Sequence, residues 1–379
     1  MAKKVLKVQK YIREHGLDTL VKEFKLKVRE YDKKVLIKYD QINSPMGVDE
    51  VQACRGLILE KGSWNVLSVA FEKFFNAAEG HAAKIDWDTA HILEKCDGTM
   101  IHVYWDWNKE KWFAATTGTA EGEGEVNNKM GTTFNDLFWE TVNTKYDFNV
   151  SLLDKDHVYV FELTTPYNIV VKPHGESSVT LLTIRNRCNL KERSHEDLKW
   201  ISELIGLPMV KSFDLNRSDN MNVGVLERTL EEMPWDEEGY VVVDAQFNRI
   251  KVKNPAYVAV HHLKSKTSEH AIMSVVKTNE IDEFIATFPE RSEEITKLHT
   301  GYNDLISRLE EGWDELKTRK PKNITPKEKK KFAMAVFEVT KKLDLKDFTG
   351  LYFALKDGKV EDVKEYMFNY DNKKLYKML

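Results

Sequence analysis

Lys95 stands in the run EKCDGTM, residues 94–100, directly ahead of Asp97 and Gly98 and of the apolar, β-prone sequence MIHVYW. A flexible ammonium at the mouth of a strand that reads as buried suggests an amine that reacts. Lysine becomes a nucleophile where desolvation or neighbouring cations lower its pKa enough to populate the free amine. Cations are therefore expected nearby, and RIKVK, residues 249–253, supplies them. On a strand its strict alternation turns Ile250 and Val252 one way and Lys251 and Lys253 the other, so two ammonium groups project together. Lining a cleft, such a pair would hold phosphates.

Two carboxylates join this set. YVFELTTP, residues 159–166, sends Glu162 opposite in direction to Tyr159, Phe161 and Leu163, and DEEGYVVVD, residues 236–244, delivers Glu238 at the entrance of a very apolar strand. Carboxylates in such places are costly unless paired or bound to a cation. ACRGLILE places Arg55 before a strand, and AFEKFFN places Lys73 among aromatics. Arginine suits bidentate phosphate contact. Taken singly, each of these residues also reads as a solvated charge or a structural ion pair. No GxxxxGK[ST] run is present, and the Gly122 and Gly124 pair of AEGEGE lacks the spacing and the lysine of a phosphate-cradling loop, which excludes a Walker-type ATPase.

The elements that must position these groups follow from periodicity. The first thirty residues show a helical rhythm broken at Gly16. From Val35 the texture changes to short β-branched and aromatic runs: VLIKYD, GLILE, NVLSVAF, MIHVYWDW, KWFAATT, HVYVFEL, NIVV, SVTLLTIR, GYVVVD and RIKVK. Helical stretches are expected near 131–143 and 195–205. This is an α+β pattern with antiparallel sheets. After about Pro255 the pattern is helical, so the chain of 379 residues divides into a domain at 1–258 and an all-helical domain at 259–379. The basic segment 317–331, with its two prolines, reads as a solvated inter-helix loop.

The 57 Lys plus Arg against 61 Asp plus Glu give a net charge of -4, which neither demands nor excludes a polyanionic partner. Cys54, Cys96 and Cys188 form no metal-binding or disulfide spacing and fit a reducing, cytoplasmic compartment, that of a host cell if the chain is viral. The basic start has no apolar stretch behind it, and no run approaches the roughly 18 apolar residues of a membrane span, so a soluble protein is expected.

In this order and with these gaps, KCDG, FELTTP, EEGYVVV and RIKVK resemble motifs I, III, IV and V of the covalent nucleotidyltransferases, which include DNA ligases, RNA ligases and mRNA capping enzymes. ACRGLILE, FEKFFN and KVKNPAYVAVHH resemble more narrowly the phage-type RNA ligase 1 family, over roughly residues 35–265. The resemblance implies a nucleotidyltransferase domain followed by a helical domain that helps recognise structured RNA, such as a broken tRNA anticodon loop. It implies ATP as adenylate donor, magnesium as metal, and an RNA with 5'-phosphate and 3'-hydroxyl ends as substrate; a monomer is expected. By resemblance Lys95 becomes linked to AMP, and Lys251 and Lys253 take the phosphates, Lys253 the α-phosphate. Arg55 and Lys73 lie on the triphosphate side, Glu162 holds the ribose hydroxyls, and Glu238 sits near the lysine amine and the metal. The backbone at Glu94 and the side chain of Val241 frame the adenine, Asp97 belongs to the nucleotide-binding set, Tyr39 contacts the nucleotide and Asp282 is linked to the metal. Cys96, in the variable slot of the motif, is read as packing. One departure stands out: around FAATTGTA relatives often carry a basic residue near the glycine, where this chain has Thr116 and Thr117. DNA ligases and capping enzymes usually continue into a β-rich OB-fold, and no strand pattern follows Pro255 here. A catalytically dead RNA-binding relative is disfavoured because every charged motif position is present.

Overall fold

The computed structural model describes residues 4–41, 43–213, 221–258, 269–279, 281–287, 291–319 and 325–379. The chain divides into two compact units, Met1–Lys264 and Ser265–Leu379.

In the first unit Gly16 separates helices α1 (Lys7–His15) and α2 (Leu17–Phe24), whose Val8, Ile12 and Leu20 are buried. At Lys25 the backbone turns left-handed and enters β1 (Leu26–Glu30). The helical rhythm expected as far as Val28 therefore stops early, because Leu26–Glu30 finds a pairing partner in β2 (Lys34–Tyr39). With β3 (Arg55–Glu60), which follows the short helix α3 (Asp49–Ala53), and β4 (Val66–Ser68) these form an antiparallel sheet in the order β1-β2-β3-β4.

A second antiparallel sheet runs β10 (Ser178–Asn186), β9 (His157–Thr164), β7 (Thr99–Asp106), β8 (Lys111–Thr116). Alternation assigns the faces. Val35 and Ile37 of β2 pack with α1 and α2, whereas Leu36 meets Tyr104, Val158 and Val160 of the second sheet. On the far side of that sheet Ile101, Tyr159, Phe161 and Leu163 are covered by Leu137 and Phe138 of α4 (Phe134–Lys145) and Leu198 of α5 (His195–Ile205). Both helices lie where the periodicity placed them, and Thr133 and Ser194 cap them through their hydroxyls.

The third sheet has the order β11 (Ser212–Phe213), β6 (His91–Glu94), β12 (Gly239–Val243), β13 (Arg249–Lys253), β5 (Phe75–Asn76); only β13 and β5 are parallel. Ile92, Tyr240, Val242, Ile250 and Val252 bury one face against Leu226 and Leu230 of α6 (Val223–Leu230), leaving the lysines of β13 on the other. The expected strand at NIVV is absent: residues 168–171 are irregular, because the amides of Val171 and Lys172 donate to the Asp97 carboxylate instead of to a ladder.

The second unit is helical among the described residues: α7 (Glu269–Thr278), α8 (Ile281–Thr287), α9 (Ser292–Lys317), α10 (Pro326–Lys342), α11 (Thr349–Lys356), α12 (Val363–Asn369) and α13 (Asn372–Met378), with Leu309, Val336, Val339, Tyr352 and Leu375 in its core. The basic segment is partly helix, not all loop. Thr325 caps α10 and Pro326 occupies its first turn, where a missing N–H costs nothing, while residues 320–324 lie outside the described residues. No helix among the described residues is long and apolar enough to cross a membrane.

Sequence reading missed one buried lysine that ties the first two sheets together. Lys34 Nζ lies 2.6 Å from Asp106 and 3.0 Å from Glu121, with 3% of the Lys34 and Asp106 side chains exposed. Lys34→Met, measured by urea denaturation, is expected to cost about 3–5 kcal/mol by leaving Asp106 buried and unpaired, and adding Asp106→Asn should return much of it. Equal stability of parent and single variant would refute this account of the contact.

Candidate active site

The third sheet places the candidate groups by register. Lys95 follows β6 directly, and its N–H donates to the Gly239 carbonyl at 2.9 Å, while Gly239 pairs with Lys253 across β12 and β13. Lys95, Gly239 and Lys253 thus form one row, and Leu93, Val241 and Lys251 form the next on the same face. At one strand spacing per step, Lys95 and Lys253 are about 10 Å apart at their backbones. Val241 is the half-exposed position of an otherwise buried strand, so the floor beside the lysines is open. Glu94, one residue before Lys95, donates its N–H to the Lys211 carbonyl at 2.9 Å.

The Lys95 amine pairs with a carboxylate. Glu238 Oε1 lies 2.6 Å from Lys95 Nζ, and the two side chains are 10% and 20% exposed. Glu238 is held by Asn254, a fully buried residue that sequence reading passed over within KVKN. The Asn254 N–H donates to the Glu238 carbonyl at 3.0 Å, and its side-chain amide donates to the carbonyls of Pro234 at 2.8 Å and Glu237 at 2.9 Å.

Glu162 comes from β9 of the second sheet, on the face of Val158 and Val160 and opposite Met100. Part of its surface reaches solvent, yet protein surrounds it. Burial pushes its carboxyl up to about 7; the nearby charge of Lys95 opposes that rise, Glu238 adds to it and Arg55 opposes it. Gly98 makes this approach feasible: a Cβ there would stand 2.5 Å from the Leu163 carbonyl oxygen and 3.1 Å from Glu162 Cγ. Asp97 is buried, and its carboxylate accepts from the Val171 N–H at 3.1 Å and the Lys172 N–H at 2.8 Å, while His174 bonds to its carbonyl at 2.9 Å. Its contacts thus fix the loop beside Lys95. Cys96 is largely buried next to Leu93, Val210 and Val243, and burial pushes its thiol well above the usual range.

Arg55 lies over the Phe74 ring at 5.3 Å, and Lys73 stands 5.4 Å from the Tyr39 ring and 5.1 Å from the Phe75 ring. Tyr39, Arg55 and Lys73 therefore cluster through their aromatic neighbours, with Lys73 two residues before β5 at the edge of the lysine-bearing sheet. Two ion pairs secure these segments. Arg185 grips Glu72 with two hydrogen bonds, at 2.8 and 3.1 Å, and Arg249 grips Glu192 at 2.5 and 2.9 Å. Fully buried His102 receives from or donates to Ser68 at 2.7 Å and bonds the Thr116 carbonyl at 3.0 Å; burial holds it down at about 4, with the Arg55 charge acting the same way. Asp282 is exposed on α8 of the second unit, near His299.

Among the described residues no group of three or more His, Cys, Asp and Glu side chains is placed to hold a metal ion. Glu238 beside Lys95, with Glu162 in electrostatic reach, offers carboxylate oxygens of the kind that a hard divalent ion takes together with phosphate oxygens and water.

An amine paired with an acid, a second, partly exposed carboxylate and cations on neighbouring strands are groups of the kind that phosphoryl transfer calls on. The model of the RNA ligase family matches residues 53–257, and the chain belongs to that family. Over 373 residues it is 27% identical to an RNA ligase of Rhodothermus phage RM378, covering 83% of each chain. Over 306 residues it is 26% identical to a protein of Autographa californica nuclear polyhedrosis virus named as a bifunctional polynucleotide kinase/RNA ligase; the match covers 75% of this chain but 42% of that one. Among solved structures, an archaeal ATP-dependent RNA ligase superposes with a TM-score of 0.46 at 12% identity, over 77% of this chain and 78% of that one. A protein described as an ATP-dependent DNA ligase from Aquifex aeolicus gives 0.44 at 14% identity, over 75% and 70%.

The raised Glu162 pKa has a thermodynamic consequence. Because the folded carboxyl keeps its proton from the ordinary 4.5 up to about 7, stability falls as pH rises through that window, and the cost is fully present above it. Glu162→Gln should therefore gain stability relative to the parent between pH 5 and pH 8, by about 1–3 kcal/mol in urea titrations. A difference that stays constant across that range would contradict the assignment.

Proposed function

We propose that the protein is an ATP-dependent RNA ligase that joins a 5'-phosphate to a 3'-hydroxyl through an adenylate carried on Lys95. The observation that carries the proposal is the Lys95–Glu238 contact at 2.6 Å, set in one row with Lys253 and beside buried Glu162.

In the proposed first step Lys95 Nζ attacks the α-phosphorus of ATP. A P–N bond forms, the bond from phosphorus to the bridging oxygen breaks, pyrophosphate leaves, and Glu238 is positioned to accept the amine proton. Lys253 faces the α-phosphate and Lys251 its neighbours, with Arg55 and Lys73 toward the departing phosphates. Glu162 holds the ribose hydroxyls, for which a carboxyl titrating near neutrality can accept or donate. The backbone at Glu94 and the side chain of Val241 frame the base, and Tyr39 contacts the nucleotide.

Next the adenylate passes to the RNA 5'-phosphate, and finally the 3'-hydroxyl displaces AMP and seals the strand. Each step depends chiefly on positioning and charge neutralisation. Magnesium held at Glu238 would neutralise phosphate charge. The helical unit, with lysines at 327 and 329–331 entering α10, offers backbone-phosphate contacts suited to a structured RNA such as a tRNA.

Incubation with α-labelled ATP is expected to label the protein, with GTP giving little label and Lys95→Ala none. Sealing should then be faster on single-stranded RNA than on single-stranded DNA or a nicked DNA duplex. Preferential GTP labelling would redirect the reading to capping chemistry, and absence of label to a binding protein.

A further inference from the structure

Lys38 belongs to no role so far assigned. In β2 it lies on the side of Leu36, the side that faces the second sheet, since Val35 and Ile37 point to the opposite core. After a bulge at Ile37/Lys38 it pairs directly with Arg55. Lys38 is half-buried and, among the described residues, makes no hydrogen bond or ion pair. A half-buried ammonium without a protein counter-charge is an expensive arrangement unless an anion arrives from outside.

What lies around Lys38 says where that anion sits. Its Nζ is 3.9 Å from the position a Cβ of Gly118 would take, beside the turn Thr116–Thr119. That turn is neutral and tightly tied: the Thr116 hydroxyl accepts from the N–H groups of Gly118 at 3.2 Å and Thr119 at 3.1 Å. Gly56, with φ of 76°, lets the turn press against the bulge, for a Cβ there would be 2.7 Å from Thr117 Cα. Lys38 and Arg55 thus flank an uncharged turn. Arg55 and Lys95 both act electrostatically on Glu162, and Arg55 also acts on His102, which bonds the Thr116 carbonyl of this turn. Lys38, paired with Arg55 across the ladder, adds a second cation beside the same turn.

We infer that Lys38 binds the pyrophosphoryl group, the β- and γ-phosphates, of the nucleotide in the first step. The inference rests on the ATP-dependent reading above. In-line displacement at the α-phosphorus sends a highly charged leaving group away from the Lys95 nitrogen, and Lys38 beside Arg55 would receive it. It also supplies from β2 the charge that Thr116 and Thr117 do not carry.

The test compares the full-length parent, Lys38→Ala and Lys38→Ala/Gly118→Lys in two assays. Self-labelling with α-labelled ATP should show a KM for ATP raised about ten- to hundredfold in Lys38→Ala, the loss of one charge-assisted contact, with partial recovery in the double variant. Sealing of an RNA strand already bearing a 5'-adenylate, in which no pyrophosphoryl group takes part, should keep its rate. Unchanged labelling by Lys38→Ala, or an equal fall in both assays, overturns the inference and leaves a merely structural lysine. A parent that takes no label overturns the underlying reading and this inference with it.

Discussion

The contact between the Lys95 amine and the Glu238 carboxylate is the interaction on which the rest of the site depends. It balances the amine's charge within the free protein, and the second carboxylate, Glu162, then stands beside a pair that is already neutral. Burial, with the Glu238 charge adding to it, is why Glu162 keeps its proton to near neutrality. Cations surround this centre: Lys251 and Lys253 two strands away, Arg55 within electrostatic reach of Glu162, Lys73 at the sheet edge.

Accuracy at the centre comes from backbone geometry, to which the side chains contribute by locking loops. The register Lys95–Gly239–Lys253 is fixed by ladder hydrogen bonds. The approach of Glu162 requires a glycine at 98, and Asp97 and Asn254, both buried, tie down the two loops on either side of the Lys95–Glu238 pair. The Arg185–Glu72 and Arg249–Glu192 pairs do the same for the segments that carry Lys73 and the β13 lysines. The candidate site residues therefore rest on residues whose partners are backbone atoms or buried charges, an arrangement that limits the motion of the former.

Much of this was legible in the sequence where a single strand carries the signal. The alternation of RIKVK and YVFEL states which side chains share a face, and Ile250 and Val252 are in fact buried opposite Lys251 and Lys253, as Tyr159, Phe161 and Leu163 are opposite Glu162. Helices α4 and α5 were equally plain from their period. What local pattern does not contain is the distant partner. Lys34 meets Asp106, Asp97 meets the amides of Val171 and Lys172, and Lys38 meets the turn at Gly118, each across some seventy or more positions of chain. Two misreadings share this cause: Leu26–Val28 left its helical rhythm because β2 was there to pair with it, and NIVV stayed irregular because a carboxylate claimed its amides. Only the family resemblance pointed to Glu238 beside the Lys95 amine, since the two are more than a hundred residues apart and only the sheet brings them together.

Peptide mapping by mass spectrometry after brief incubation with ATP addresses the central claim most directly. The account predicts one adenylyl adduct, confined to the peptide containing Lys95, stable to base, released by acid as expected of a P–N bond, and removed by added pyrophosphate. An adduct on any other residue, or full sealing activity in a protein whose Lys95 never becomes modified, would contradict it.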